Sequence, residues 1–453
     1  MDKNNPHILG TAPIGKLLVE YSIPAIIGMT LTSLYNIIDS IFIGHGVGAL
    51  AISGLAITFP LMNLNIAFCT LVGVGGATMS SIRLGQKDQT GAEYILGNVA
   101  VLCVINAVVF SGITLLFLEE ILRFFGASDS TLPYAYDFMQ VILLGSPISF
   151  VMIGLNNIMR ATGYPKKAML SSLLTVGCNV ILAPICIFVL EWGIRGAALS
   201  TITSQFVGMI WVLSHFYSQK SFVRFRKSCF RLRLPIIRNI FSIGMSPFVM
   251  NVCACCIVIF INNRLLHYGG DLSIGAFGIL NRIQMLFVMI VMGITMGMQP
   301  ISGYNYGARN FERVKKTLKL GIMAGTIITT AGFIACELFP QVFVGMFTDN
   351  EELTHRASIA LQIGVASFPV IGAQIVITQF FQSIGKAAVS IFLSLSRQLL
   401  FLLPGLAFLP PFFGVNGVWS SMPVSDMLAF LTAVAMLMHH IKKMKETYPL
   451  TEQ

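Results

Sequence analysis

Long apolar runs, rather than amphipathic stripes, set the pattern of this chain. No Asp, Glu, Lys or Arg occurs within 94–118, 138–159, 168–190, 196–219, 239–263, 283–308, 357–385 or 398–425. As a helix, each run can cross roughly 30 Å of hydrocarbon. Taking caps, breakers and charge clusters as boundaries predicts twelve spans, near 17–43, 50–76, 93–118, 134–158, 168–190, 196–217, 239–263, 275–300, 317–338, 356–381, 388–409 and 416–440. Outer-membrane barrel strands would read instead as about ten residues of alternating polarity. The polar stretch 1–16 leads into a long first span with no small-residue cleavage site behind it, so no removed signal peptide is expected.

Composition strengthens this reading. Only 11% of the 453 residues are charged, against about 25% in a soluble domain, and mean hydropathy is +0.79. So few charges cannot build a water-facing surface. The net charge of +10 is distributed unevenly. With the N terminus placed inside, the inner segments hold 23 Lys and Arg and the outer loops only Arg123, Arg195, Arg264 and Arg356. The positive-inside rule then puts both termini in the cytoplasm and the protein in the inner (cytoplasmic) membrane, in contact with its lipid. The richest basic stretch, 220–238, reads as a topology-setting cytoplasmic linker rather than a nucleic-acid patch. Of nine cysteines, only Cys229 falls outside the spans, in that linker. No disulfide is expected, and Cys253-x-Cys255-Cys256 lacks metal-site spacing.

The chain also repeats itself. An offset of 223 pairs Pro24 with Pro247 and Gly46 with Gly269. At 222, Gly75 meets Gly297, Gly85 meets Gly307, Pro147 meets Pro369 and Gly163 meets Gly385. At 221, Gly193, Gly196, Ser200 and Ser204 meet Gly414, Gly417, Ser421 and Ser425. Each copy holds six spans, an even number, so both enter the membrane from the same side and form parallel repeats. The expected fold is an all-α integral membrane protein, two six-helix bundles around a central cleft. Its parts are an N-terminal bundle (1–218), the linker (219–238) and a C-terminal bundle (239–453). Rocking of one bundle against the other would give alternating access, which points to a transporter.

Several ordered motifs carry a resemblance. They are Ser22-Ile-Pro24, Tyr35-Asn-Ile-Ile-Asp39-Ser-Ile-Phe-Ile-Gly44, Gly85-Gln-Lys-Asp88 with its twin Gly307-Ala-Arg-Asn310, Arg160-Ala-Thr-Gly163, and Asn179-Val-Ile-Leu-Ala183-Pro184. Over nearly its whole length the chain resembles the multidrug and toxic compound extrusion (MATE) family, specifically its MepA-like bacterial branch. The resemblance implies export of small amphipathic, often cationic compounds in exchange for inward-moving protons or sodium ions, with no cofactor. It also makes Asp39 a coupling-ion carboxylate. The physics agrees, because a carboxylate in an apolar helix costs several kcal/mol unless paired or hydrated, which favours its protonated form. An interfacial Asp capping a helix end is the alternative. Tyr35, four residues earlier, shares its helix face. Asn179 needs a partner in mid-span, for coupling or for a helix–helix hydrogen bond; Asn156 and Asn157 leave the same choice open as cleft candidates. Pro24 should let the first span bend. The family's frequent Asn-x-x-Leu-Asp-Pro pattern has Ala183 in place of its Asp here, so one carboxylate is missing, which suits a proton better than sodium.

In the second half, Arg282, Arg397 and Asp426 fall within spans. Such charges should face the cleft or a partner, and Arg282 is expected to pair with Asp426. The 23 Met and 34 Phe could line an adaptable pocket or simply fill helix contacts. Two other functions stay open. A lipid-linked oligosaccharide flippase of the same superfamily would want a more cationic cleft and often extra helices. A membrane-embedded enzyme finds no His-Glu-x-x-His, Gly-x-Ser-x-Gly or P-loop pattern and no metal cluster. No catalytic residue is assigned, no nucleic-acid partner is expected, and the protein is expected to act as a monomer.

Overall fold

The computed structural model describes residues 7–219, 221–347 and 350–447; the side chains of a few residues within these ranges, Tyr35 among them, lie outside the description. Among the described residues, eleven helices are long and apolar enough to span a membrane, and a bent pair completes twelve. In the N-terminal lobe they are α1 (Ile14–Gly46), α2 (Ala49–Gly85), α3 (Gln89–Leu116), α4 (Leu132–Ala161), α5 (Pro165–Val189) and α6 (Gly193–Tyr217). In the C-terminal lobe they are α7 (Leu234–Gly270), α8 (Leu272–Gly307), α9 (Phe311–Leu338), α10 (Glu351–Val365 and Phe368–Ser383, bent by 53°), α11 (Ala387–Phe413) and α12 (Val415–Thr447). The predicted spans all fall on these helices. The seventh begins earlier than predicted, at Leu234, because Pro235 suits a first helical turn.

Duplication is legible in the backbone as well as in the residues. Eight of the ten left-handed positions among the described residues come in pairs: Gly48 and Gly270, Lys87 and Arg309, Gly163 and Gly385, Gly193 and Gly414. Each pair keeps the sequence offset and each ends one span before the next. The twin motifs around 85–88 and 307–310 are such corners. After the left-handed Lys87, the Asp88 side chain accepts from Gly91 N (2.7 Å) and caps α3; after Arg309, Asn310 accepts from Arg313 N (3.3 Å) and caps α9.

The lobes meet along α1 and α2 of one and α7 and α8 of the other. A Cβ on Gly85 would stand 1.9 Å from Tyr304 O, and one on Gly307 would stand 2.1 Å from Ile82 O. Residues 82 and 304 are themselves twins, so this crossing is two-fold symmetric. Farther along, Gln299 Nε2 donates to Thr78 Oγ1 (2.7 Å), Phe68 meets Phe248 (5.0 Å between centroids) and Ser33 Oγ donates to Met289 Sδ (3.2 Å). Among the described residues, the hydrogen bonds and ring contacts between lobes run from the end that carries the basic segments to about mid-span, where Ser33 meets Met289. That end is closed by the close approach of α2 and α8.

Two segments brace the closed end. The basic linker is docked on the N-terminal lobe. Asn98 Nδ2 donates to Cys229 O (3.3 Å) and Arg231 O (3.1 Å), while its Oδ1 accepts from Arg233 N (2.9 Å). Gln89 Nε2 donates to Phe222 O (2.6 Å), Arg233 stacks on Tyr94, and the buried Glu93 carboxylate lies at ion-pair distance from Arg226 Nε (2.7 Å). Cys229 is buried beneath this strap rather than exposed on a loop. Reciprocally, the segment before α1 docks on the C-terminal lobe. Arg313 donates to Leu9 O (3.0 Å) and Ala12 O (2.6 Å), Asn305 Nδ2 donates to Leu9 O (2.9 Å), and His7 Nδ1 shares a hydrogen bond with Tyr304 Oη (3.0 Å). The rings of His7 and Phe222 meet edge-on where the two straps approach each other.

Candidate functional site

Asp39 lies on α1, two turns before its end at Gly46, with only 7% of its surface exposed. Its Oδ1 is buried with no hydrogen-bond partner, and Asp39 takes part in none of the ion pairs among the described residues. The side chain of Tyr35, its neighbour one turn earlier, lies outside the described residues. Pro24 sits inside α1, which runs unbroken across it.

Helix α5 runs parallel to α1 and sets the other wall. Gly28 faces Ser172, and Gly46 faces Ile187 and Phe188. Between these contacts the two helices keep step, which brings Asn179 and Ala183 to either side of the level of Asp39. Both are buried. Asn179 Nδ2 donates to Thr201 Oγ1 on α6 (3.2 Å), and that hydroxyl donates on to Ala197 O (3.1 Å). Thr201 escaped the sequence reading because a threonine that satisfies itself on its own helix carries no distinguishing signal. A π-helical turn, Ile185–Val189, ends α5 just beyond Pro184, and Phe188 packs edge-on against Phe42 of α1.

The other candidates are scattered. Asn156 joins α4 to α5: its Nδ2 donates to Ala168 O (3.0 Å) and to Ser171 Oγ, and its Oδ1 accepts from Arg160 (3.3 Å). Asn157 is half-buried against Gly73 of α2. Arg282 is exposed on α8 and does not pair with Asp426. Instead Arg397 Nε donates to Asp426 Oδ1 (2.7 Å), and Ser367 Oγ donates to Oδ2 (3.0 Å). The expected pairing fails because α11 and α12 form a helical hairpin, which brings a nearer guanidinium to the carboxylate.

Comparison with known proteins fits this arrangement. The MatE family model matches residues 24–185 and again 247–409, one match in each lobe. The chain is 28% identical to the multidrug export protein MepA of Staphylococcus aureus, over 93% of both chains. It is 28% identical to MepA of Staphylococcus haemolyticus, over 92% of both. Among solved structures it resembles the MATE multidrug transporter DinF-BH, at 36% identity and a TM-score of 0.88, covering 95% of this chain and 96% of that one. It also resembles a MATE transporter in the bent conformation, at 25% identity and a TM-score of 0.92 over 98% of each chain. Members of this family are transporters, not enzymes. The chain belongs to the MatE family of multidrug and toxic compound extrusion transporters, on its MepA-like branch.

Proposed function

We propose that this protein exports small amphipathic, often cationic compounds in exchange for protons, with Asp39 as the coupling group. The observation that carries the reading is a buried carboxylate with an unpartnered oxygen and, among the described residues, no ion pair. Such a group gains either from a proton or from a bound cation, and a proton suits it better where Ala183 leaves no second carboxylate alongside. Asn179 and Tyr35 tune that carboxylate, and Pro24 lets α1 respond to its protonation by removing one backbone hydrogen bond. Multidrug export by the named MepA relatives and multidrug transport by DinF-BH support the substrate class.

By the positive-inside rule the closed basic end faces the cytoplasm, with both termini and the linker, so the cleft faces outward in this state. Protonation of Asp39 from outside would favour release of the compound, and closure of the outer cleft would carry the proton inward. The test is efflux of a fluorescent cation from proteoliposomes, with proton and sodium gradients imposed separately. Wild type should respond to the proton gradient. Asp39→Asn should insert normally and lose gradient-driven export, whereas removing the Asn179 amide should weaken it less. Undiminished export by Asp39→Asn would falsify the assignment.

A further inference from the structure

The two lobes place their buried acids differently. The offset of 223 that pairs Pro24 with Pro247 and Gly46 with Gly269 sets Asn262 opposite Asp39, and Asn262 Oδ1 is likewise buried without a partner. The offset of 221 that pairs Ser204 with Ser425 sets Gln205 opposite Asp426. Gln205 accepts from Ser149 and Asp426 from Ser367, although the offset does not pair these two serines. Each lobe therefore holds one acid where the other holds an amide. The N-terminal acid has an open oxygen, and the C-terminal acid has none. Asp426 is 5% exposed, and its Oδ1 is engaged by Arg397 and its Oδ2 by Ser367.

Arg397 is in the opposite position. Its side chain is 35% exposed, against 7% for that of Asp426, and among the described residues only its Nε is engaged. Both Nη groups stay free, aimed by a bond that fixes the plane of the guanidinium. The neighbouring Gln398 Oε1 is buried without a partner. The site lies where α10 breaks at Ser367 and α11 turns π-helical over Ser396–Leu402, and such π turns gather at functional sites. Arg397 lies on the face of α11 that buries Ser390, Leu393 and Ser394, so the fork turns into the lobe, where an exposed guanidinium is sustained by water rather than by lipid tails.

We infer that Arg397, oriented by Asp426, is the group that binds a carboxylate on a transported compound. The planar fork matches a carboxylate with two parallel hydrogen bonds. The inference rests on the drug-export reading but concerns the other lobe.

The probes are rhodamine B, which carries a free carboxylate, and its ethyl ester, which does not. Binding of each to the purified full-length protein in phosphatidylcholine nanodiscs is read by fluorescence polarisation. The variants are Arg397→Lys, which keeps the charge on Asp426 but loses the fork, and Arg397→Gln with Asp426→Asn, which removes both charges together. The expected result is a fall of about tenfold in the acid-to-ester affinity ratio in both variants. An unchanged ratio, or equal weakening of both dyes, overturns the inference. Binding of the ester alone by wild type overturns it too and leaves drug export standing; binding of neither dye removes both.

Discussion

Replacing Gly85 by alanine should open the closed end. The new Cβ would sit 1.9 Å from Tyr304 O, whereas carbon and oxygen approach to about 3.3 Å at best. The neighbour is backbone of a packed helix, so no rotamer change relieves the clash. Helices α2 and α8 must part by roughly 1.4 Å at the crossing, and overpacking of this kind costs about 1–3 kcal/mol. The penalty falls on the state in which the basic end is shut, because that is where the helices touch. The equilibrium should move about 5- to 150-fold toward the state open at that end. Spin labels at Lys166→Cys and Lys319→Cys, exposed sites on opposite lobes, in a cysteine-free background report this by electron–electron dipolar spectroscopy. Gly85→Ala should add a longer-distance population. Gly307→Ala should do the same, since its Cβ would meet Ile82 O across the same crossing. The pair should be less than additive, because one separation clears both clashes. Gly112→Ala, whose Cβ would meet nothing within 4 Å, is the control. An unchanged distance distribution in well-expressed Gly85→Ala would refute the idea that this crossing holds the end shut.

Two further outcomes follow from the straps and from topology. Asn98→Ala removes three hydrogen bonds to the linker and leaves buried backbone groups without partners; at about 1–3 kcal/mol for each such group, melting should come earlier and trypsin should cut near Arg231 and Arg233 sooner, and unchanged protection would mean the strap is held elsewhere. Cys229 is buried, so orientation is better read at Ser228→Cys, which is exposed; a membrane-impermeant thiol reagent should reach it only after lysis, and labelling of intact cells would invert the topology.

Much of the architecture was legible because hydrocarbon imposes a coarse rule: runs without charge become spans, and corners need glycine. The offsets of 221 to 223 anticipated even the left-handed corners, at Gly163 and Gly385 for example. Features that depend on who meets whom were not legible. The run 357–385 looked like one span, but the helix bends between Val365 and Phe368, because Pro369 has no N–H to donate back to Val365 and its ring crowds that carbonyl. Arg282 was the expected partner of Asp426, and the α11–α12 hairpin brings Arg397 there instead. The linker announced its charge, yet its fixed course depends on Asn98, an ordinary amide in an apolar helix. At the candidate site the sequence singled out Asp39 by its isolation, while the pairing of Asn179 with Thr201 had to come from the packing of α5 on α6.

The segment before α1 bears on biosynthesis. Leu9 leaves the ribosome well before the guanidinium that holds its carbonyl, which is 304 positions later. At about 5–20 residues per second, roughly 15–60 seconds pass between the two. Through that interval the N-terminal lobe can insert and pack, but its leading segment has nowhere to dock until α8 and α9 emerge. The linker has no such wait, since Asn98 is already in place when Arg233 is made. The two braces therefore close in order, the linker early and the N-terminal segment late. A fusion that blocks the N-terminal segment should leave the first lobe able to form and fail at the final docking of the second.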